Sequence, residues 1–217
     1  RNVIEPKFYR FRRAFVATDE KLVFDVSADE RFILLLDGRE FARGPHRGAP
    51  ERWFYQTYEA TLPPGEHVLE AICWQLGNQA PLAQMSWRGG FILKAEGPYD
   101  ALLTTGKADW EAARVTCMSY GGITDPATMT GCENIVRGTG ILDGSDFAWQ
   151  PTHVVKEPVV DNEYGLYRKT WALFPTERED EIERPCAPGS VKAAQPLFDE
   201  TNVLYSAADA TCGWTAR

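Results

Sequence analysis

Apolar and polar side chains alternate along the first part of the chain with the two-residue period of β-strands. From Tyr9 to Phe15 and from Lys21 to Ser27, the bulky apolar side chains fall on alternate positions, with mostly polar ones between them. A strand that is buried on one face has this period, because successive side chains point to opposite sides of the sheet. Both stretches are therefore predicted to be half-buried strands.

A hairpin signal follows these two strands. Arg31 to Leu36 is a continuous apolar run of strand length, and Asp37-Gly38 comes directly after it. This dipeptide favours a tight turn because both of its residues can adopt positive φ angles. Arg39 to Phe41 is therefore predicted to be the return strand.

Further strands are predicted where apolar and aromatic side chains recur between turn-forming residues. The turn at Leu62–Gly65 separates two of them, since proline fixes φ and glycine tolerates positive values. Short strands joined by turns rather than helices are typical of antiparallel sheets. The sequence therefore predicts an all-β fold, an antiparallel β-sandwich or jelly roll of the galactose-binding-like type with few short helices. These further strands are Trp53–Ala60, Glu66–Trp74, Trp87–Ala95 and Leu166–Phe174.

Loops and breaker residues divide the chain into two parts. We predict a β-sandwich module over residues 1–184, in which the stretch 121–150 is rich in Gly and Thr and forms loops. Pro and Gly recur from Pro185 onward, so residues 185–217 are expected to be an extended connector toward a following domain. Because the chain begins with Arg1 rather than Met, we expect it to be a segment of a longer protein.

The composition is that of an ordinary globular protein, and the charge narrows the classes of partner. The 217 residues are 44% hydrophobic and 25% charged, which excludes a disordered chain. The net charge is −8, so phosphate repulsion argues against a nucleic-acid partner. No apolar run approaches the length of a membrane-spanning helix, and we expect no membrane partner. The compartment stays open, with a periplasmic or extracellular location favoured over a cytoplasmic one.

Residues that could carry metal or catalytic chemistry are scattered along the sequence. The five cysteines lack a Cys-x-x-Cys pair, which favours buried thiols over a zinc site, with one disulfide as the alternative. His46, His67 and His153 share no short metal-ligand spacing, and His67 lies in a strand pattern typical of a packed side chain. No nucleophile elbow, phosphate loop or dinucleotide-binding motif occurs. The sequence therefore predicts no catalytic residue, no metal ligand and no cofactor.

Aromatic residues make up 12% of the chain and are its most informative chemical feature. Sugars present apolar C–H faces that stack on aromatic rings, and hydroxyls that bond to polar side chains. A mixture of such side chains between residues 47 and 87 suits a shallow carbohydrate site. In a sandwich the same rings can instead fill the core, and this alternative stays open. The candidate carbohydrate-binding residues are Trp53, Tyr55, Tyr58, Trp74, Trp87, Arg47 and Gln84.

Several segments occur in an order typical of one glycosidase family. Residues 26–39 read VSADERFILLLDGR, and the tripeptide Arg43-Gly44-Pro45 follows them. In this order the segments resemble the N-terminal β-sandwich module of bacterial α-L-rhamnosidases and related glycosidases. The other segments that carry the resemblance are Trp53–Glu59, Leu62–Leu69, Thr105–Glu111, Gly144–Pro151 and Leu173–Arg178.

The resemblance implies a noncatalytic accessory module of a glycoside hydrolase. In that family, hydrolysis takes place in a later (α/α)₆ barrel, so its catalytic carboxylates have no counterpart here. The implied partners are a following catalytic domain of the same parent chain and a carbohydrate, such as a rhamnose-containing glycan. Some family members bind calcium, but no acidic loop in this sequence offers a site to which calcium can be assigned.

Two other functions are consistent with the same sequence. The first is a self-contained jelly-roll glycosidase, which would need two carboxylates facing one another across a substrate. Among 31 acidic residues, the sequence singles out no such pair. The second is a protein–protein adaptor that uses the aromatic loop from Arg47 to Tyr58, for which a large exposed apolar patch would be the signature.

Overall fold

The structure, a computed structural model, describes most of the first 120 residues and shorter stretches after them. Two compact units are present, Arg1–Glu177 and Arg178–Arg217, and each is described by itself. The described residues are 5–49, 52–80, 86, 89–120, 134–136, 147–154, 173–176, 191–196, 203–207 and 215–216.

Strands dominate the described part of the first unit, and its α-helix, α1, is the short segment Asp100–Leu103. Short 3₁₀ turns lie at Gly77–Gln79 and Gly97–Tyr99. The strands are β1 Lys7–Ala17, β2 Leu22–Ala28, β3 Arg31–Leu36, β4 Arg39–Gly44, β5 Trp53–Ala60, β6 Gly65–Gln75, β7 Phe91–Ala95, β8 Glu111–Arg114, β9 Met118–Tyr120, β10 Asn134–Val136, β11 Gln150–Pro151 and β12 Leu173–Pro175.

Two sheets form a β-sandwich, as the alternating pattern predicts. One sheet has six strands in the order β11-β8-β1-β6-β3-β4, and the other has four in the order β12-β5-β2-β7. Neighbouring strands are antiparallel, except that β12 runs parallel to β5. Strands β9 and β10 pair separately. The prediction of an all-β sandwich is confirmed.

The core lies between the two sheets, and the period of two in the sequence fills it. On β2 the side chains of Leu22, Phe24 and Val26 are each buried. From the six-stranded sheet, Phe32 and Leu34 reach the same core. Burial of side chains of this size provides most of the stabilisation of such a fold, at about 1.5–3 kcal/mol each.

The predicted hairpin is confirmed in its backbone geometry. Strands β3 and β4 are antiparallel neighbours, and Leu36 pairs with Arg39 across the turn. Asp37 and Gly38 have φ angles of 50° and 75°, so both turn residues are in the left-handed region. These are the angles for which Asp-Gly is favoured, because the twist of such a turn matches that of the strands.

Some predicted boundaries differ from the observed ones. Strand β7 begins at Phe91 rather than Trp87, because Gly89 and Gly90 precede it and glycine lowers strand stability. Trp87 itself lies outside the described residues. Of the predicted strand Leu166–Phe174, the described part is within β12, and the part before Leu173 lies outside the described residues.

The segment after β7 closes one edge of the sandwich. The buried Tyr99 hydroxyl accepts a hydrogen bond from the Thr18 N–H at 3.1 Å and donates one to the Glu20 carbonyl at 3.0 Å. The Trp110 indole N–H donates to the Leu103 carbonyl at 2.8 Å. These bonds hold the segment against the β1–β2 loop and join the end of α1 to the approach to β8.

The second unit contains strands in its described residues. Strands β13 Val191–Pro196, β14 Val203–Ala207 and β15 Thr215–Ala216 form an antiparallel sheet in this order. The predicted boundary after residue 184 and most of the loop-rich stretch 121–150 lie outside the described residues. The role of residues 185–217 as a connector stays a prediction. In the part of the chain that the structure describes, no helix has the length and apolarity needed to cross a membrane.

Candidate functional site

The first predicted sugar-binding residue, Trp53, is a buried group of the sandwich. Its ring is 2% exposed, and its indole N–H donates a hydrogen bond of 2.8 Å to the Ala28 carbonyl. A buried indole needs such an acceptor, because an unsatisfied N–H in the interior is costly. The ring therefore anchors β5 to the end of β2, and one side of it borders the cleft described below.

Tyr58 also belongs to an internal aromatic cluster. Its ring centroid lies 6.0 Å from that of Phe24 and 6.0 Å from that of Phe41. The Tyr58 hydroxyl donates to the Arg43 carbonyl at 3.0 Å. Both ends of the side chain are therefore engaged within the fold.

The remaining predicted residues are spread over different parts of the fold. Tyr55 lies half-buried on β5, whereas Trp74 lies on β6 of the other sheet, with its ring 6.4 Å from that of Phe8. Arg47 is exposed in the loop after β4. Trp87 and Gln84 lie outside the described residues. The structure thus does not bring the described members together on one surface, and their part in sugar binding stays a prediction.

The structure instead reveals a cleft that is lined by residues of all four strands of the four-stranded sheet and extends past the edge strand β7. Its volume is about 460 Å³, which is in the range of small-molecule sites. We call it the edge cleft. It is lined by residues including Phe11, Ser27, Ala28, Asp29, Trp53, Gly90, Phe91, Ile92, Thr105, Trp110, Thr152, His153, Val154 and Leu173.

Packed aromatic rings form the floor of the edge cleft. Phe91 stacks on Phe11 with 5.2 Å between the ring centroids and 25° between the planes. Trp110 meets Phe91 edge-on at 5.5 Å. Aromatic pairs in these arrangements stabilise a fold by more than their buried area alone would give, and the rings hold one another in place. The floor is therefore a preformed apolar surface.

Backbone hydrogen bonds hold the walls of the edge cleft. The Thr105 N–H donates to the Leu93 carbonyl at 2.9 Å, so the chain after α1 lies along the edge of β7. On the opposite wall, the Asp29 N–H donates to the Gly90 carbonyl at 2.9 Å. The cleft thus has two fixed walls that come from different parts of the sequence.

The rim of the edge cleft is apolar with few polar groups. Ile92, Val154 and Leu173 are 44%, 62% and 37% exposed, although all three are large hydrophobic side chains. His153 is exposed between them and offers a ring nitrogen to a ligand. Asp29 is the one carboxylate among the described lining residues, and it is buried. This chemistry suits a small, partly apolar ligand.

A second cleft of about 850 Å³ lies on the outer face of the six-stranded sheet, and both of its arginines are engaged in contacts within the fold. The Arg12 guanidinium donates to the Glu111 carboxylate at 2.8 Å and stacks 4.0 Å from the Trp149 ring centroid. Arg13, in the same cleft, donates to the Leu102 and Asp109 carbonyls at 3.0 Å each. These contacts give the cleft a structural role.

His67 is a packed histidine, as its strand pattern predicts. One ring nitrogen lies 2.7 Å from the Asp37 carboxylate and the other lies 2.9 Å from the Pro63 carbonyl. Since both partners are acceptors, both nitrogens must carry a proton. These two hydrogen bonds raise the pKa of His67. Burial alone would raise the pKa of Asp37, but hydrogen bonds from the Val68 N–H and from His67 outweigh it, so that pKa is lowered.

The described residues offer no ligand set for calcium, which some members of the resembled family bind. Among them, no three His, Cys, Asp or Glu side chains gather in a way that could hold a metal ion. Asp29 and Glu30 are buried side by side, but hard cations take six or more oxygen ligands. Cys73, a buried free thiol, has its pKa raised by burial, which makes it a poor metal ligand.

Each residue of the edge cleft belongs to a segment that the sequence analysis describes, but no sequence pattern indicates that these residues lie together in the fold. Asp29 lies in the segment VSADERFILLLDGR, and Trp110 lies in Thr105–Glu111, both of which carry the family resemblance. Phe11 and Phe91 were visible as strand residues with ordinary period. Phe11 and Phe91 are about eighty residues apart in sequence. They come into contact only because of the strand order, which the alternation of apolar and polar residues does not predict.

Comparisons with known proteins support the fold. No protein-family model and no curated protein matches the chain. Among solved structures, the chain is similar to the crystal structure of a GH78 family rhamnosidase of Bacillus sp. GL1, with a TM-score of 0.67 and 21% sequence identity. The similarity covers 88% of this chain and 20% of the rhamnosidase chain. At this identity the similarity concerns the fold, so the chain has the fold of one domain of a GH78 rhamnosidase, which confirms the resemblance stated from the sequence.

Proposed function

We propose that the chain is a noncatalytic β-sandwich module of a rhamnosidase-like glycosidase. The observation that carries this proposal is the similarity of nearly the whole chain to a fifth of a solved rhamnosidase. A module of this kind supports a following catalytic domain of the same parent chain. A sandwich suits such a role, because its two sheets form a rigid body whose outer faces can be held against a neighbour.

The module is also proposed to bind a carbohydrate weakly at the edge cleft. The aromatic floor of Phe11, Phe91 and Trp110 offers an apolar surface to the C–H face of a sugar, and His153 at the rim offers a hydrogen bond. A 6-deoxy sugar such as rhamnose adds a methyl group, which suits the rim of Ile92 and Val154. We expect affinity near the millimolar range, about −4 kcal/mol, because few polar groups are available to fix the sugar.

A titration followed by tryptophan fluorescence tests the binding proposal. Methyl α-L-rhamnoside is expected to change the emission of Trp110, whereas methyl α-L-mannoside, with a hydroxyl on C6, is expected to bind more weakly. Val154→Asp places a charge at the rim and should abolish the change. Val16→Asp, a matched control on β1 at a similar exposure of 57%, should not. Equal responses of the two variants would contradict a site at the edge cleft.

The alternative of a self-contained glycosidase receives less support. Glycosidases commonly use two carboxyl groups about 5–9.5 Å apart across the scissile bond. Among the described residues that line the edge cleft, Asp29 alone supplies a carboxyl group. Hydrolysis of 4-nitrophenyl glycosides by the purified chain, lost in Asp29→Asn, would favour this alternative over an accessory role.

The adaptor alternative has one specific observation in its favour. Ile92, Val154 and Leu173 are large exposed hydrophobic side chains around one cleft, and such patches often mark protein contacts. In that case a partner domain, rather than a sugar, would protect the amides of these residues from hydrogen exchange. Of the predicted adaptor loop from Arg47 to Tyr58, Trp53 lines the same cleft and pairs with Leu173 across β5 and β12.

A further inference from the structure

The turn between β2 and β3 holds a buried carboxyl group that has no part in the proposed sugar contacts. Glu30 is 3% exposed, and its φ of 77° lies in the left-handed region. A residue with a Cβ adopts this conformation at an energetic cost, so the contacts around it must hold it there. The position of Glu30 is therefore fixed by its side chain as well as by its backbone.

The side chain of Glu30 ties the turn to the far end of β6. Its Oε2 atom accepts a hydrogen bond from the Leu76 N–H at 2.7 Å. The Gly77 N–H and the Ser86 hydroxyl lie near the carboxyl group and lower its pKa, whereas its other oxygen, Oε1, is buried with no hydrogen-bond partner among the described residues. The side chain thus joins the β2–β3 turn to the residue before the 3₁₀ turn that follows β6.

The two residues before Glu30 form part of the edge cleft. The Ala28 carbonyl accepts the indole N–H of Trp53, and the Asp29 N–H donates to the Gly90 carbonyl. All four of these residues line the cleft. A movement of the turn at Glu30 would therefore displace one wall of the cleft directly, through adjacent peptide units.

The surroundings of Glu30 make its charge sensitive to pH near neutrality. Burial raises its pKa to about 7, against the lowering effect of the Leu76 N–H, and the neighbouring Asp29 raises it further. The other described groups that affect its pKa are neutral, namely the N–H groups of Leu76 and Gly77 and the Ser86 hydroxyl. Arg31, the next residue, is exposed. Ionisation thus leaves an anion in which one oxygen accepts from the Leu76 N–H and the other, Oε1, is buried without a donor among the described residues.

We propose that Glu30 is a proton-dependent latch on the edge cleft. The neutral side chain holds the β2–β3 turn in its strained conformation, whereas the carboxylate loosens the turn toward solvent and displaces the wall formed by Ala28 and Asp29. The cleft is thus formed best below neutral pH and loosened above it. The consequence for sugar affinity rests on the proposed function, but the movement itself does not.

A titration without ligand tests the latch. The amide resonances of Leu76 and Gly90 in the 217-residue chain are followed by NMR between pH 5 and pH 9. Both resonances are expected to shift with one midpoint close to pH 7. This titration should be lost in Glu30→Gln. It should be kept in Glu66→Gln, a matched change at an exposed glutamate on β6. Resonances that do not titrate, or that titrate equally in Glu30→Gln, would overturn the proposal.

Two further variants identify which side chain is responsible for the titration. Ser86→Ala removes a hydroxyl that lowers the pKa of Glu30, so the midpoint should move upward even if Glu30→Gln does not fold. His153 lines the same cleft but is not among the groups that affect Glu30, so it provides a control. His153→Gln should therefore leave the Leu76 titration unchanged. A midpoint that is unaffected by Ser86→Ala but lost in His153→Gln would assign the titration to the histidine and overturn the latch.

Sugar binding measured at two pH values distinguishes a failure of the latch from a failure of the proposed sugar site. Methyl α-L-rhamnoside should bind several-fold more weakly to the wild-type chain at pH 8.5 than at pH 5.5, and equally at both in Glu30→Gln. If the sugar binds at neither pH while the amides titrate, the sugar site fails and the latch stands. If the sugar binds while the Leu76 and Gly90 amides are insensitive to pH, the latch fails.

Discussion

The indole N–H of Trp53 and the carbonyl of Ala28 are joined by a hydrogen bond of 2.8 Å that ties β5 to the end of β2. Both residues line the edge cleft, yet both are almost fully buried. Trp53 is therefore a core residue, and one side of its ring forms part of the wall of the cleft. A ring in this position contributes more to stability than to ligand contact.

Trp53→Ala is expected to lower the free energy of unfolding by about 3–5 kcal/mol, because it leaves a large cavity and an unpaired carbonyl. Urea denaturation measures this loss. Tyr55→Ala, at the half-buried position two residues along β5, should cost clearly less. A Trp53→Ala variant within about 1 kcal/mol of the wild type would show that the ring is exposed.

The buried pair of Arg10 and Glu70 gives a second prediction about stability. Two guanidinium nitrogens donate to the two carboxylate oxygens at 3.1 and 2.9 Å, and the side chains are 4% and 12% exposed. Arg10→Met should cost about 3–5 kcal/mol, because it leaves a buried carboxylate without its cation. Combining it with Glu70→Leu should recover much of this loss.

An exposed ion pair serves as the control for the Arg10 and Glu70 variants. Lys21 and Glu59 also form a salt bridge, but their side chains are 53% and 56% exposed. Lys21→Met should therefore change the unfolding free energy by less than about 1 kcal/mol. Strictly additive effects of the Arg10 and Glu70 changes in a double-mutant cycle would contradict direct coupling between the two residues.

The β3–β4 turn provides a prediction that depends on backbone conformation alone. Gly38 has a φ of 75°, and a Cβ atom added there would meet no other atom within 4 Å. Gly38→Ala should therefore cost about 1–2 kcal/mol through left-handed strain, whereas Gly38→Asn should cost less. Equal thermal stability of the alanine variant and the wild type would show that the turn adopts a different geometry.

The His67–Asp37 pair predicts a pH dependence of stability. The pKa of His67 is higher in the folded chain than its ordinary value of 6.5, so the imidazolium stabilises the fold at lower pH, and this contribution is lost as the pH rises through the raised pKa. The pKa of Asp37 is lowered from 3.8, so its contribution is lost as the pH falls below that value. The pair is thus most stabilising between about pH 4 and pH 6.5.

Thermal melts of the wild type and of His67→Gln at several pH values test this window. The difference in Tm between the two proteins should be largest near pH 5.5 and should shrink above pH 7. Any change from Glu30 is common to both proteins and cancels in the difference. A difference that grows with pH would contradict the ion pair.

Local signals in the sequence predicted much of the fold. The Asp37-Gly38 turn and the strand Trp53–Ala60 are observed where they were predicted, because each depends on neighbouring residues. The inward positions of Leu22, Phe24 and Val26 follow from a period of two. These features require no knowledge of which strands are neighbours.

The candidate site could be predicted less well, because it depends on strand order. Trp74 and Tyr55 lie within twenty residues of one another in sequence but belong to different sheets. Conversely, Phe11 and Phe91 are distant in sequence and stack in the edge cleft. The aromatic composition therefore indicated the chemistry of a site but not its members.

An NMR experiment with a chromogenic rhamnoside tests whether the chain binds sugar at the edge cleft without cleaving it. The 217-residue chain, labelled with ¹⁵N, is mixed with 4-nitrophenyl α-L-rhamnoside while the spectra of both molecules are followed over a day. Our account predicts shifts of the Thr105, Gly106 and His153 amides, with the glycoside left intact. Release of 4-nitrophenol that is abolished by Asp29→Asn, or an unchanged spectrum at saturating glycoside, would contradict a noncatalytic module that binds sugar at the edge cleft.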